Sequence, residues 1–213
     1  MTIIKLTSAE AEIITNFISG DKMKFEKLSA FVSLVLQENE KHNLIGNSTI
    51  PQIWTRHIID SLQLVPYVKD SENITDLGSG AGFPAIVLGI ATDKHITMIE
   101  KSPVKAEFLK NACKQLGLSF NVINQAINIH NSSVIIPVNT TITSRAFTSL
   151  YNILLLVHHL PQTNKILLLK GNGFQKEIDE CEKKHNILLK SWTSSIKKSI
   201  TNQGVVICMS RLK

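Results

Sequence analysis

The sequence predicts a doubly wound, mostly parallel α/β fold that carries an N-terminal helical extension. Two observations predict it. Apolar residues recur at three- and four-residue intervals near the N-terminus, and beyond them short β-prone runs alternate with helical stretches. Strands and helices in alternation imply a parallel sheet, because right-handed crossovers lay each helix against one sheet face or the other.

Residues 1–70 read as a helical cap on an α/β core formed by residues 71–213, the whole being one domain of a size that one buried core can serve. Thr7 and Glu10 form a capping box, Ile13, Ile14, Phe17 and Ile18 make an apolar stripe, and Gly20 stops the helix. Phe25, Leu28, Phe31, Val32, Val35 and Leu36 mark a second helix with one packed face and one wet face. Strands are expected at residues 74–77, 96–99, 120–123, 140–143 and 166–169. The helix after the second strand is the best marked. Ser102 is its N-cap, Pro103 its first residue, Phe108, Leu109, Ala112, Cys113 and Leu116 its stripe, and Gly117 its end. The run 205–209 follows a polar segment with no helical pattern, so it is expected as a strand entered by a hairpin and therefore antiparallel.

Composition narrows the functional classes. With 43% hydrophobic and 19% charged residues the chain is an ordinary globular one. No apolar run approaches the roughly 18 residues of a membrane span, and residues 1–10 lack a signal-peptide pattern, so a cytoplasmic protein is expected. Cys113, Cys181 and Cys208 are odd in number and never in a C-x-x-C pair, which argues for reduced thiols. His158 and His159 are adjacent and point about 100° apart on a helix, so no metal site is expected. No coiled-coil heptad suggests a constitutive dimer, and a monomer is expected. The 23 Lys and Arg against 17 Asp and Glu give a charge of +6, which suits a polyanionic partner; the competing reading is that Lys22, Lys24 and Lys27 are a solvated helix face.

The densest group of turn formers, Asp76-Leu77-Gly78-Ser79-Gly80-Ala81-Gly82-Phe83-Pro84, falls where the first strand ends, at the ligand-binding edge of an open α/β sheet. Gly78, Gly80 and Gly82 allow a tight turn and a close approach of backbone to ligand. Their G-x-G-x-G spacing departs from the dinucleotide fingerprint, whose third glycine comes later, and this disfavours a nicotinamide cofactor. Asp76 would repel a pyrophosphate and favours a cationic amino-acid moiety, a demand that S-adenosylmethionine meets. Glu100, closing the second strand, is placed to accept hydrogen bonds from ribose hydroxyls; the alternative is a surface carboxylate beside Lys101.

Several stretches match a known family in order: Asn43-Leu44, Arg56-His57-Ile58-Ile59-Asp60-Ser61, the glycine loop, Lys105 with Phe108-Leu109, Ser144-Arg145-Ala146-Phe147, and Lys170-Gly171. On these motifs the chain resembles the 16S ribosomal RNA guanine-N7 methyltransferases, the glucose-inhibited division protein B family, over about residues 39–172. The resemblance implies a seven-stranded Rossmann-like methyltransferase sheet, S-adenosylmethionine as cofactor, and 16S ribosomal RNA or the small ribosomal subunit as partner. It also implies that Gly78 and Phe83 line the cofactor pocket, that Ile127 and Asn128 flank the adenine, and that Arg145 reaches the site from the fourth strand. Where the family commonly has Arg, a small or branched residue, then Glu, this chain has Ala126, Ile127 and Asn128. Asn128 offers an amide in place of a carboxylate, so differently tuned cofactor binding is expected.

Guanine N7 carries a free lone pair and no proton, so the reaction needs no general base and no catalytic acid–base residue is expected. Arg145 and Lys170 are then candidates for phosphate or guanine O6. Arg56 and His57 are candidates for the substrate side, the alternative being a helix-start pair in which Arg56 bridges to Asp60. Two other functions stay open at this point: a methyltransferase acting on protein or a small molecule, and a ribosome-associated RNA-binding protein with a vestigial pocket.

Overall fold

The computed structural model describes residues 4–160, 163 and 165–212. Its N-terminal part is helical. Helix α1 (Ser8–Phe17) starts with the capping box, Thr7 accepting from the Glu10 amide and Glu10 from the Thr7 amide. Helix α2 (Lys22–Asn39) is capped by Asp21. A 3₁₀ turn (Asn47–Gln52), a π-helical turn (Trp54–Ile59), the short helix α3 (Asp60–Leu62) and a second 3₁₀ turn (Val65–Tyr67) lead to the sheet.

The sheet has seven strands in the order β3-β2-β1-β4-β5-β7-β6. Strands β1 (Asn73–Leu77), β2 (His95–Ile99), β3 (Asn121–Ile123), β4 (Thr140–Arg145) and β5 (Lys165–Lys170) are mutually parallel. Strand β7 (Val205–Arg211) runs antiparallel to β5 and to β6 (Trp192–Lys198), with which it forms the expected hairpin. Helices α4 (Ala85–Thr92), α5 (Pro103–Leu116), α6 (Ser132–Ile135), α7 (Leu150–Val157) and α8 (Phe174–Lys190) fill the crossovers. The order reverses between β1 and β4, and the carboxyl ends of the strands on either side of that reversal form the crevice where open α/β sheets take ligands.

Two apolar layers sandwich the sheet. On one face Ile14, Leu28, Phe31, Val35 and Ile58 of the helical extension join Ile74, Ile86, Val87 and Leu109 in one continuous cluster. On the other, Leu77, Ile142 and Leu168 pack with Ile153 and Leu154 of α7. The α1 stripe is narrower than the spacing suggests. Ile14 and Ile18 are buried, whereas Ile13 is 38% exposed because the helix rests on its neighbours along only one edge. Among the described residues no helix is long and apolar enough to cross a membrane.

Candidate functional site

The chain leaves β1 through three left-handed glycines, Gly78 (φ +70°), Gly80 (φ +54°) and Gly82 (φ +91°), before Pro84 caps α4. The amides of Gly78 and Ser79 donate to the Ile99 carbonyl at 2.9 and 3.2 Å, and the Gly80 amide donates to Glu100 Oε2 at 2.9 Å. Glu100 Oε1 accepts from the Ser102 amide at 2.8 Å, so the carboxylate that closes β2 ties the loop to the start of α5. Each Glu100 oxygen keeps a second lone pair for a hydroxyl donor.

Above this loop opens a cavity of about 800 Å³ lined by Gly78, Gly80, Phe83, Glu100, Ile127, Asn128, Arg145 and His57. Leu44 and Ile45 close one side, held by the buried Asn39, whose Oδ1 accepts from both their amides at 2.8 and 2.9 Å. Asn128 Oδ1 accepts from the His130 amide at 2.9 Å, which leaves its amide group to donate. Two residues expected at the ligand lie elsewhere. Gly82 is turned to the core, where a Cβ would stand 2.7 Å from Ile86 Cδ1 and 3.1 Å from Phe31 Cζ; its freedom serves packing. Asp76 lies beneath the loop, outside the cavity wall and 1% exposed. Its Oδ1 accepts from Thr143 Oγ1 at 2.8 Å, while Oδ2 has no donor among the described residues. Burial, reinforced by the Glu100 carboxylate, raises the Asp76 carboxyl to about 7.

The π-helical turn, whose hydrogen bonds close one residue further along than in an α-helix, carries Arg56 and His57 to the same region. His57 Nδ1 lies 3.0 Å from Arg145 Nη1 and Nε2 lies 2.9 Å from Thr49 Oγ1. Thr49 gives its only proton to the Gly46 carbonyl at 2.7 Å, so Nε2 must be the protonated nitrogen and Nδ1 the acceptor for Arg145. Burial and the neighbouring Arg145 and Arg56 lower His57 to about 3, which keeps the ring neutral, packed 4.8 Å from the Phe83 ring. Thus His57 acts on Arg145, and the guanidinium has no carboxylate within ion-pair distance among the described residues.

Arg56 and Lys170 face a second, adjoining cavity of about 410 Å³ that shares Arg145, Ala146, Phe147 and Thr148 with the first. The ion pair between Arg56 and Asp60, the alternative to a substrate-side role, does not form. Arg56 Nη1 donates to Gln203 Oε1, and Asp60 is held by Gln63, Ser199 and Thr201. Lys170 is also committed. Its Nζ donates to the Thr148 carbonyl at 2.7 Å and to Glu177 Oε2 at 2.8 Å, and the same Glu177 oxygen accepts from the Leu150 amide. It therefore fixes the partition between the cavities and has little left for a ligand. Phe147, which sequence spacing did not single out, packs on the Cα of Gly78, where a Cβ would meet its Cδ2 at 2.4 Å. Among the described residues no group of acidic, histidine or cysteine side chains is arranged to hold a metal.

This sheet order with its antiparallel β7, and the cavity over a glycine loop at the carboxyl edge, define a Rossmann-like methyltransferase. Solved structures share the architecture. An S-adenosylhomocysteine-bound Podospora anserina methyltransferase aligns over all of both chains with TM-score 0.60 and 11% identity. M. capricolum TrmK in complex with S-adenosylhomocysteine aligns over 72% of this chain and 68% of its own with TM-score 0.55 and 11% identity. Residues 24–206 match the family model for rRNA small subunit methyltransferase G, and the chain belongs to that family. A Rickettsia prowazekii ribosomal RNA small subunit methyltransferase G is 40% identical over 161 residues, covering 75% of this chain and 81% of the relative.

Proposed function

We propose that the chain transfers the methyl group of S-adenosylmethionine to N7 of a guanine in 16S ribosomal RNA, acting in the cytoplasm on the small subunit or its RNA. The observation that carries this reading is the pair of cavities meeting at the wall of residues 145–148, one over the glycine loop and one lined by guanidinium groups. The larger cavity suits a nucleoside with a cationic amino-acid arm. Gly78 and Gly80 leave backbone room, Glu100 has lone pairs for ribose hydroxyls, Ile127 and Phe83 offer apolar contact, and Asn128 an amide for the adenine edge. Asp76 supplies the fit test from beneath the loop: its Oδ2 has no donor among the described residues and burial raises its carboxyl, so positive charge arriving in the cavity above would favour its anion.

S-adenosylmethionine supplies a carbon bonded to a sulfonium. Held by Gly78, Gly80, Glu100, Ile127 and Asn128, it would present that methyl carbon to a ring nitrogen that carries a lone pair and no proton, so the chain would need no general base. The protein's task is to hold the reacting atoms in line at about 3 to 3.5 Å. Arg145, aimed by His57, and the partition tied down by Lys170 and Glu177 perform that positioning.

Incubation with methyl-labelled cofactor and small subunits from a strain lacking this gene tests the reading. Label mapping to N7 of one guanine in 16S ribosomal RNA is the expected result. Label in protein, or at another atom of the RNA, or none in the RNA, overturns it.

A further inference from the structure

Resting on the reaction proposed above, we propose that the smaller cavity is the recognition site for the target guanine, in which Asp60 Oδ2 accepts hydrogen bonds from guanine N1–H and N2–H. The cavity's charges are unevenly matched. Lys170 and Glu177 neutralise each other at 2.8 Å, which leaves the guanidinium groups of Arg56 and Arg145 and the carboxylate of Asp60 facing the space. Neither arginine has a carboxylate within ion-pair distance among the described residues, so both remain available to phosphate or a carbonyl oxygen.

Asp60 is oriented with one oxygen spoken for and the other open. Oδ1 accepts from Gln63 Nε2 at 2.7 Å, Ser199 Oγ at 3.0 Å and Thr201 Oγ1 at 3.2 Å. Gln63 is itself fixed, since its Oε1 accepts from the Ile200 amide at 3.2 Å. No described residue donates to Oδ2. This is a preset acceptor at the end of a half-buried side chain that lines the cavity.

Base chemistry chooses the occupant. A carboxylate accepts only, and among the four RNA bases guanine alone presents two adjacent donors, N1–H and the N2 amino group, on one edge. Adenine and cytosine would turn a ring-nitrogen lone pair toward Oδ2, and uracil has a single donor. With the N1–N2 edge on Asp60, N7 lies on the opposite side of the ring with O6 between. Asp60, Arg145 and the wall shared with the larger cavity all line this space, so each edge of the base has a group to face. Phe147, which belongs to both cavities, offers an apolar face to the base. Methylation makes the ring cationic and its N1–H more acidic, so the bond to a carboxylate strengthens as the reaction proceeds, which is the condition for lowering a barrier.

Two measurements on the full chain test this. Calorimetry on the S-adenosylhomocysteine complex should show GMP binding about tenfold more tightly than IMP, which lacks the N2 amino group, and AMP weaker still. Asp60→Asn keeps an acceptor for Ser199 and Thr201 and so preserves the docked turn, yet it should erase the GMP preference and lower kcat/KM for methyl transfer to small subunits roughly 10- to 100-fold. S-adenosylhomocysteine affinity should stay unchanged. A parent protein that binds GMP no better than IMP, or Asp60→Asn with parental kcat/KM, overturns the assignment of Asp60. Absence of methyl transfer by the parent itself overturns the reaction instead, so the two failures are distinct.

Discussion

Asp76 and His57 set opposite pH gradients on stability, and substituting one should expose the other. The native chain keeps the Asp76 proton up to about pH 7, whereas the unfolded chain loses it at the ordinary value of 3.8. Between those values the unfolded state binds fewer protons, so the Asp76 contribution falls as pH rises. His57 behaves in the opposite sense. It is neutral in the native state down to about pH 3 and takes a proton at 6.5 when unfolded, so its contribution is full above 6.5 and is lost as pH falls toward 3. At 1.36 kcal/mol per pH unit, each gradient amounts to about 4 kcal/mol over the shared window, with opposite signs. The parent should therefore be nearly flat in stability from about pH 4 to 6.5 as far as these two groups are concerned.

Asp76→Asn removes one arm, and its stability should rise with pH across that window. His57→Gln removes the other; the amide can still accept from Arg145 and donate to Thr49, and stability should now fall as pH rises. Urea denaturation of the parent, both single variants and the double variant at half-unit pH steps reads these slopes directly. Cofactor binding adds a check, because a cation arriving above Asp76 should expel its proton, and calorimetry in buffers of different ionisation enthalpy should detect up to one proton released below pH 7. Four parallel pH curves would refute the reasoning.

The Gly78 cradle is tested by alanine at two glycines. Both substitutions place a side chain at positive φ at a cost of about 1–2 kcal/mol, but only Gly78→Ala drives a Cβ into Phe147, so its loss of S-adenosylmethionine affinity should exceed that of Gly80→Ala by about tenfold; equal losses would show that Phe147 yields freely. We further propose that the helical extension and the sheet unfold as one unit, since Phe31 of the extension, fully buried, packs 5.1 Å from the Phe83 ring of the glycine loop within one continuous core. Phe31→Ala should cost about 3–5 kcal/mol and shift a single transition, with Trp54 and Trp192 fluorescence reporting the same midpoint; separated midpoints would divide the chain in two.

Much of the architecture was legible because it is encoded locally. Capping at Thr7 and Ser102, the left-handed stop at Gly117 and five apolar runs each declare an element within a few residues. Strand β6 is legible only as the partner that the hairpin into β7 requires, with no strand pattern of its own. Its residues after Trp192 are exposed and, Ile196 apart, polar, and it exists because β7 supplies the pairing. The site divides in the same way. A glycine pattern announces a turn at 78–82 but does not say which missing Cβ faces a ligand and which faces Ile86. Helical spacing pairs Arg56 with Asp60, four positions on, yet the partners that form are Gln203, 147 residues away, and Ser199, 139 residues away. Only the closed sheet brings the β6–β7 turn to the helical extension.

Because the reaction needs no acid–base group, what these long-range contacts must secure is alignment. The cavities we propose for donor and acceptor share residues 145–148, so any drift of this segment would spoil the alignment on which a proton-free transfer depends. The segment is constrained from three sides: Arg145 by neutral His57, Thr148 by Lys170, and Phe147 by the bare Cα of Gly78. Between them Ala146 is held at φ +52°, a conformation that costs a non-glycine residue about 1–2 kcal/mol and persists only where the surroundings over-determine it. Stability is thus spent on rigidity at the one place where the two substrates must meet.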